Sequence, residues 1–100
     1  MAYNEPKGVR APRDRWVLID VLVDHGKGQH ALAIGEWRGG GPAHDQRVFA
    51  MRWNGDDNYA GHPTSRGIAT WFIVPSTYNS ALLEELPEEK KVLATALLEK

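Results

Sequence analysis

Apolar positions recur along this chain with two different periods, and the change between them divides it into sheet-forming and helix-forming parts. Residues 16–24 (WVLIDVLVD) are rich in β-branched side chains. Their odd positions Val17, Ile19, Val21 and Val23 place four apolar groups on one face, the pattern of a strand. The glycine-rich turn HGKGQ (25–29) follows, and HALAIGEWR (30–38) reads as a second strand antiparallel to the first. After the loop GGGPAHDQ (39–46), RVFAMRWN (47–54) predicts a third strand. Phe49, Met51 and Trp53 lie on one of its faces, and Val48, Ala50 and Arg52 on the other. A long loop, 55–66, leads to GIATWFIV (67–74), which is apolar on both faces and closed by Pro75. That pattern predicts a fourth strand covered on both sides.

From Ser76 the period lengthens. Ser76 suits a helix N-cap, and Tyr78, Leu82, Leu83 and Leu86 fall at helical spacing. Pro87 interrupts, and EEKKVLATALLEK continues as a second helical segment with Val92, Leu93, Ala96 and Leu97 inward. Four strands and then a helix predict an α+β fold: a four-stranded antiparallel sheet followed by a C-terminal helix broken near Pro87. The second sheet faces carry Trp16, Leu18, Leu22, Trp71 and Ile73. This is more apolar surface than a monomer shows to water, so the expectation is a homodimer.

Composition sets the limits within which those elements act. At 100 residues, 42% hydrophobic and 25% charged, the chain has the makeup of one folded globular domain. Residues 1–15 hold Pro6, Gly8 and Pro12 with Lys7, Arg10, Arg13 and Arg15 against Glu5 and Asp14, which reads as a flexible basic arm ahead of a single domain spanning 16–100. A formal net charge of −1 supplies no global positive field, so any nucleic-acid contact has to come from a local patch. The absence of cysteine excludes disulfides, thiolate catalysis and cysteine-ligated zinc. MAYNEPKGVRAPRDR lacks the apolar centre of a signal peptide, and no run approaches the roughly 18 apolar residues of a membrane span. The expectation is a soluble cytoplasmic protein with no membrane partner.

A local patch is available in Arg38, Arg47, Arg52 and Arg66 with Trp37, Trp53 and Tyr59. Single-strand binding needs cations to replace phosphate counterions and flat rings on which bases stack, worth about 1–3 kcal/mol per base. The same tryptophans equally read as core or interface packing, and the arginines as ordinary surface charges. The loop GHPTSRG (61–67) pairs two glycines with Thr64, Ser65 and Arg66, a set suited to one phosphate or carboxylate, or simply to a hairpin. It lacks the Gly-Lys-Ser/Thr ending of a nucleotide-binding P-loop. His25, His30, His44 and His62, with Asp24, Asp45, Asp56 and Asp57, fall in turns and at strand ends without helical ligand spacing. They read as solvated loop residues, so no metal, cofactor or enzymatic chemistry is expected.

Taken together, the strand-three residues Arg52 and Trp53, the loop residues Pro63, Thr64, Arg66, Gly67 and Ile68, and the helix residues Ala81, Leu82, Leu83 and Leu86 resemble the transcriptional coactivator p15 family (positive cofactor four). The resemblance covers residues 47–86. It implies a dimer whose paired curved sheets hold single-stranded nucleic acid, with basic side chains on phosphate and aromatics against bases. The leading expectation is therefore a non-enzymatic binder of single-stranded DNA or RNA that serves transcription or replication. The alternative is a regulator or inhibitor that binds a protein partner through an apolar sheet face or the C-terminal helix.

Overall fold

The structure is a computed structural model that describes residues 3–99. Strands β1 (Trp16–Asp24), β2 (His30–Trp37) and β3 (Gln46–Trp53) form an antiparallel meander. Two short strands, β4 (Thr64–Ser65) and β5 (Ile68–Ala69), pair only with each other, and β6 (Phe72–Ile73) returns to the far side of β3. The main sheet is four-stranded and antiparallel, in the order β1-β2-β3-β6. Two helices follow, α1 (Asn79–Glu85) and α2 (Glu88–Leu98), with Pro87 between them. No helix among the described residues is long and apolar enough to cross a membrane.

The central strands set the character of the two sheet faces. On β2 the odd positions Ala31, Ala33 and Gly35 are small, and Val48 and Ala50 continue that face on β3. Small side chains leave room above the sheet, and the indoles of Trp16 and Trp71 fill it together with Val9. A Cβ at Gly35 would fall 2.5 Å from the Trp16 ring, so this position has no room for a side chain. The opposite face carries Leu32, Ile34 and Phe49, covered by Val74, Leu86 and Ala94 with Leu82, Leu83, Leu97 and Leu98 alongside. Each face thus buries its own apolar cluster against a different part of the chain.

Several local expectations change here. In β1 the buried residues are Trp16 and Leu22, while Val17 and Ile19 are exposed. Trp16 and Leu18, ahead of any irregularity, face the tryptophan cluster. Two register shifts against β2, between Leu18 and Asp20 and between Val21 and Val23, then bring Val21 onto that same face and put Leu22 and Val23 on the other. The predicted fourth strand is divided, because Thr70 and Trp71 leave the ladder and Trp71 turns into the core, its Nε1 donating to the Val9 carbonyl at 2.6 Å. Ser76 opens a 3-10 turn, with no side-chain cap on the helix that follows. On α2 the inward row is Ala94, Leu97 and Leu98, with Val92, Leu93 and Ala96 turned to solvent.

The segment expected to be a flexible basic arm is packed, apart from its first two residues, which lie outside those described. Pro6 and Val9 are buried, Ala11 bridges to Thr70, and Asn4 donates from its backbone to Asn54 and from its side chain to Ala60. This segment lies on the tryptophan-bearing face. The apolar surface from which a homodimer was inferred is therefore covered from within the chain.

Candidate functional site

The loop between β3 and β4 is organised around one buried cation. Arg52 is 2% exposed, and its Nη1 donates to the carbonyls of Pro63 (3.2 Å) and Thr70 while Nη2 donates to that of Ala60 (3.2 Å). A guanidinium presents several donors in a fixed fork, which suits it to gathering carbonyls from three points of a loop. Burial pushes its pKa below the ordinary arginine value, with the nearby Tyr59 phenol opposing. Gly61 completes the arrangement: at φ 88° it passes so close to the Trp53 carbonyl and Arg52 Nη2 that a side chain has no place. Trp53 and His62 exchange two backbone hydrogen bonds, at 2.7 and 3.1 Å, which close the loop at its base. The expectation that Arg52 contacts phosphate is thus corrected, since its Nη donors are turned to the protein's own backbone and its Nε is buried.

The other predicted contact residues separate into two groups. Trp37 and Trp53 sit at opposite ends of the paired β2 and β3, because Trp37 faces Gln46 and His30 faces Trp53. Seven residue steps along β2 separate them, about 23 Å at a strand's rise. Trp37 is half-buried, packs on the core cluster and donates from Nε1 to the Gly40 carbonyl at 3.0 Å. At that same end Arg38 Nε donates to Glu36 at 2.8 Å, Arg47 Nε lies 3.7 Å from the same carboxylate, and Arg47 Nη1 donates to the Leu97 carbonyl at 3.3 Å. Trp37, Arg38 and Arg47 therefore serve local packing and pairing, remote from the loop. At the loop end Trp53, Tyr59 and Arg66 remain exposed. Arg66 and Gly67, both at positive φ (53° and 81°), form the two-residue turn joining β4 to β5, the backbone that a tight hairpin demands.

A cleft that sequence reasoning missed opens beside this loop. Register puts His30, Met51, Trp53 and Phe72 on the same sheet face as Leu32 and Phe49, beyond the part that the helices cover. His62 and Pro63 of the loop wall the other side, enclosing about 390 Å³. Trp53 is 52% and Phe72 57% exposed, and the His30 imidazole meets the Trp53 ring edge-on at 5.8 Å. A second depression of about 560 Å³ shares His30 and Met51 and runs along the sheet to the junction of α1 and α2, lined by Leu86, Glu85, Glu89 and Lys90 among others. His25 lies on its wall, with its ring 4.7 Å from that of His30. Among the described residues no three histidine, aspartate or glutamate side chains gather as a metal site. The alternation of Phe49, Met51 and Trp53 pointed to this face. Phe72 was assigned to a doubly covered strand and the histidines to solvated loops, which hid the cleft.

Comparison with protein-family models, with curated proteins and with solved structures finds no significant match to this chain, so the p15 resemblance rests on the sequence pattern of residues 47–86 alone.

Proposed function

We propose that this chain is a non-enzymatic binding module that docks an apolar segment of a partner protein in the cleft formed by Met51, Trp53, Phe72, His62 and Pro63. The observation that carries the reading is the exposure of two large aromatics, Trp53 and Phe72, lining one cleft on a sheet face whose central residues Leu32, Ile34 and Phe49 are buried. Concave apolar surface with a few polar groups at its rim is the usual form of a recognition site, and aromatic anchors carry much of the energy of protein interfaces. Regulators and inhibitors of this size act by such a surface alone.

Single-stranded nucleic acid is the second reading, supported by Trp53, Tyr59 and Arg66 standing exposed at one end of the molecule. It retains three of the seven residues first considered and one guanidinium, Arg66, facing solvent among them. The two readings separate in one titration. A pool of decapeptides, each with one central tryptophan replaced by the non-fluorescent leucine or phenylalanine, is added to the chain, and a single-stranded 20-mer is added in parallel. Tryptophan emission and anisotropy are followed at low and moderate salt. The expected result is a saturable peptide-induced shift in emission that is lost in the Phe72→Thr variant, which retains the Trp53 reporter, while that variant keeps its melting temperature. Binding of the 20-mer that weakens steeply with salt, with no peptide response, would replace this reading with the second.

A further inference from the structure

The two depressions form a groove of unequal ends. At one end stand Trp53, Phe72, Met51 and Pro63; at the other, beyond the shared wall of His30 and Met51, stand Glu85 and Glu89. We infer that the groove takes a partner segment in which an aromatic or large apolar residue is followed or preceded, within a few residues, by arginine or lysine. This rests on the docking reading above and specifies its occupant.

The argument is one of charge. Pro87 ends one helix and begins the next, which brings the last residue of α1 and the second residue of α2 to the same rim. Neither Glu85 nor Glu89 has an ion-pair partner among the described residues. Lys90 is the lining ammonium that opposes them, which leaves an excess of one carboxylate on this wall. The helix ends do not alter the balance, since the negative end of α1 and the positive end of α2 meet there. At the aromatic end, the one guanidinium lining the cleft is Arg52; it keeps its charge but lies beneath the surface, 2% exposed, with its Nη donors held by Ala60, Pro63 and Thr70. A basic residue of a partner thus meets an excess of one exposed carboxylate at the helix end, apart from the buried Arg52 charge at the aromatic end, whereas a phosphate placed at the helix end would meet Glu85 and Glu89. Rim charges of this kind choose among partners and set the rate of encounter more than they add affinity.

The test is selection from a random dodecapeptide display library on the full chain, with counter-selection on the Trp53→Thr, Phe72→Thr variant. Enrichment of an aromatic or large apolar residue with arginine or lysine within five positions of it is expected. The selected peptides should then bind the Glu85→Gln, Glu89→Gln variant about five- to tenfold more weakly, with the loss shrinking as salt rises. Enrichment of aromatic residues with no basic bias, or equal affinity for that variant, would overturn the inference and leave the docking reading standing. Failure to enrich aromatic or apolar residues at all would remove both, and retention of a single-stranded 20-mer in the same assay would point to nucleic acid in their place.

Discussion

At the scale of single residues, Arg52 carries the largest local responsibility. Its guanidinium holds Ala60, Pro63 and Thr70, points that span the whole excursion from β3 to β6. Lysine retains the charge but presents a compact ammonium that cannot reach three separated carbonyls. Arg52→Lys is therefore expected to lower stability by about 1.5–3 kcal/mol, the range for hydrogen bonds to a charged group. Urea denaturation measures this, and limited proteolysis should show new cleavage within 55–66. An unchanged midpoint would mean that the loop is held by its turns alone. The local sequence does distinguish Arg52 from the exposed Arg66: an arginine alternating with Val48 and Ala50 on a strand shares their inward face, whereas Arg66 lies in a turn.

At the scale of elements, strands β2 and β3 were legible because their pairing runs without interruption from His30 opposite Trp53 to Trp37 opposite Gln46. Period-two alternation then maps directly onto faces. Strand β1 was misread for the converse reason: its apolar residues are so dense that every register looks plausible, and the two shifts against β2 decide which face the residues after Leu18 take. The inward row of α2 was misassigned because Val92 and Leu93 look like core residues, yet the small Ala94 is what allows the helix to approach the sheet. Small residues also decide the other face. Gly35→Ala is expected to destabilise the fold by about 1–3 kcal/mol, because the new methyl group has to displace the Trp16 ring and the backbone at Val17. Thermal melting checks this, and a melting point equal to that of the parent would show that Trp16 moves aside freely.

At the scale of the whole molecule, the end of the sheet remote from the cleft is closed by Glu36. Its hydrogen bond from Arg38, reinforced by the charge of Arg47, holds its carboxyl below the usual glutamate value despite some desolvation, and Arg47 reaches on to the end of α2. A carboxyl depressed in the folded state stabilises above its unfolded value of about 4.3, and loses that contribution as pH falls through the folded value. Glu36→Gln is accordingly expected to melt below the parent at pH 7, with the gap closing below about pH 4. A gap that persists to pH 3 would show that the charge at this position plays no part. The α+β order was legible from the change in period, but the packing of residues 3–15 was not. A stretch rich in proline and arginine with one buried valine, Val9, reads as solvated until its partner Trp71 is known.

Strand β1 forms one border of the main sheet, and its nine residues include Val17 and Ile19 facing solvent. A straight border strand of this composition is a template on which further copies can add, rung by rung, into a fibril. The two bulges that confounded the reading of its faces also spoil that template, since each twists the border and breaks the even spacing a stacked neighbour would need. The irregularity of β1 is in this sense protective: it lets the chain keep a strongly apolar strand at the sheet's margin while withholding the flat edge from which aggregation would grow.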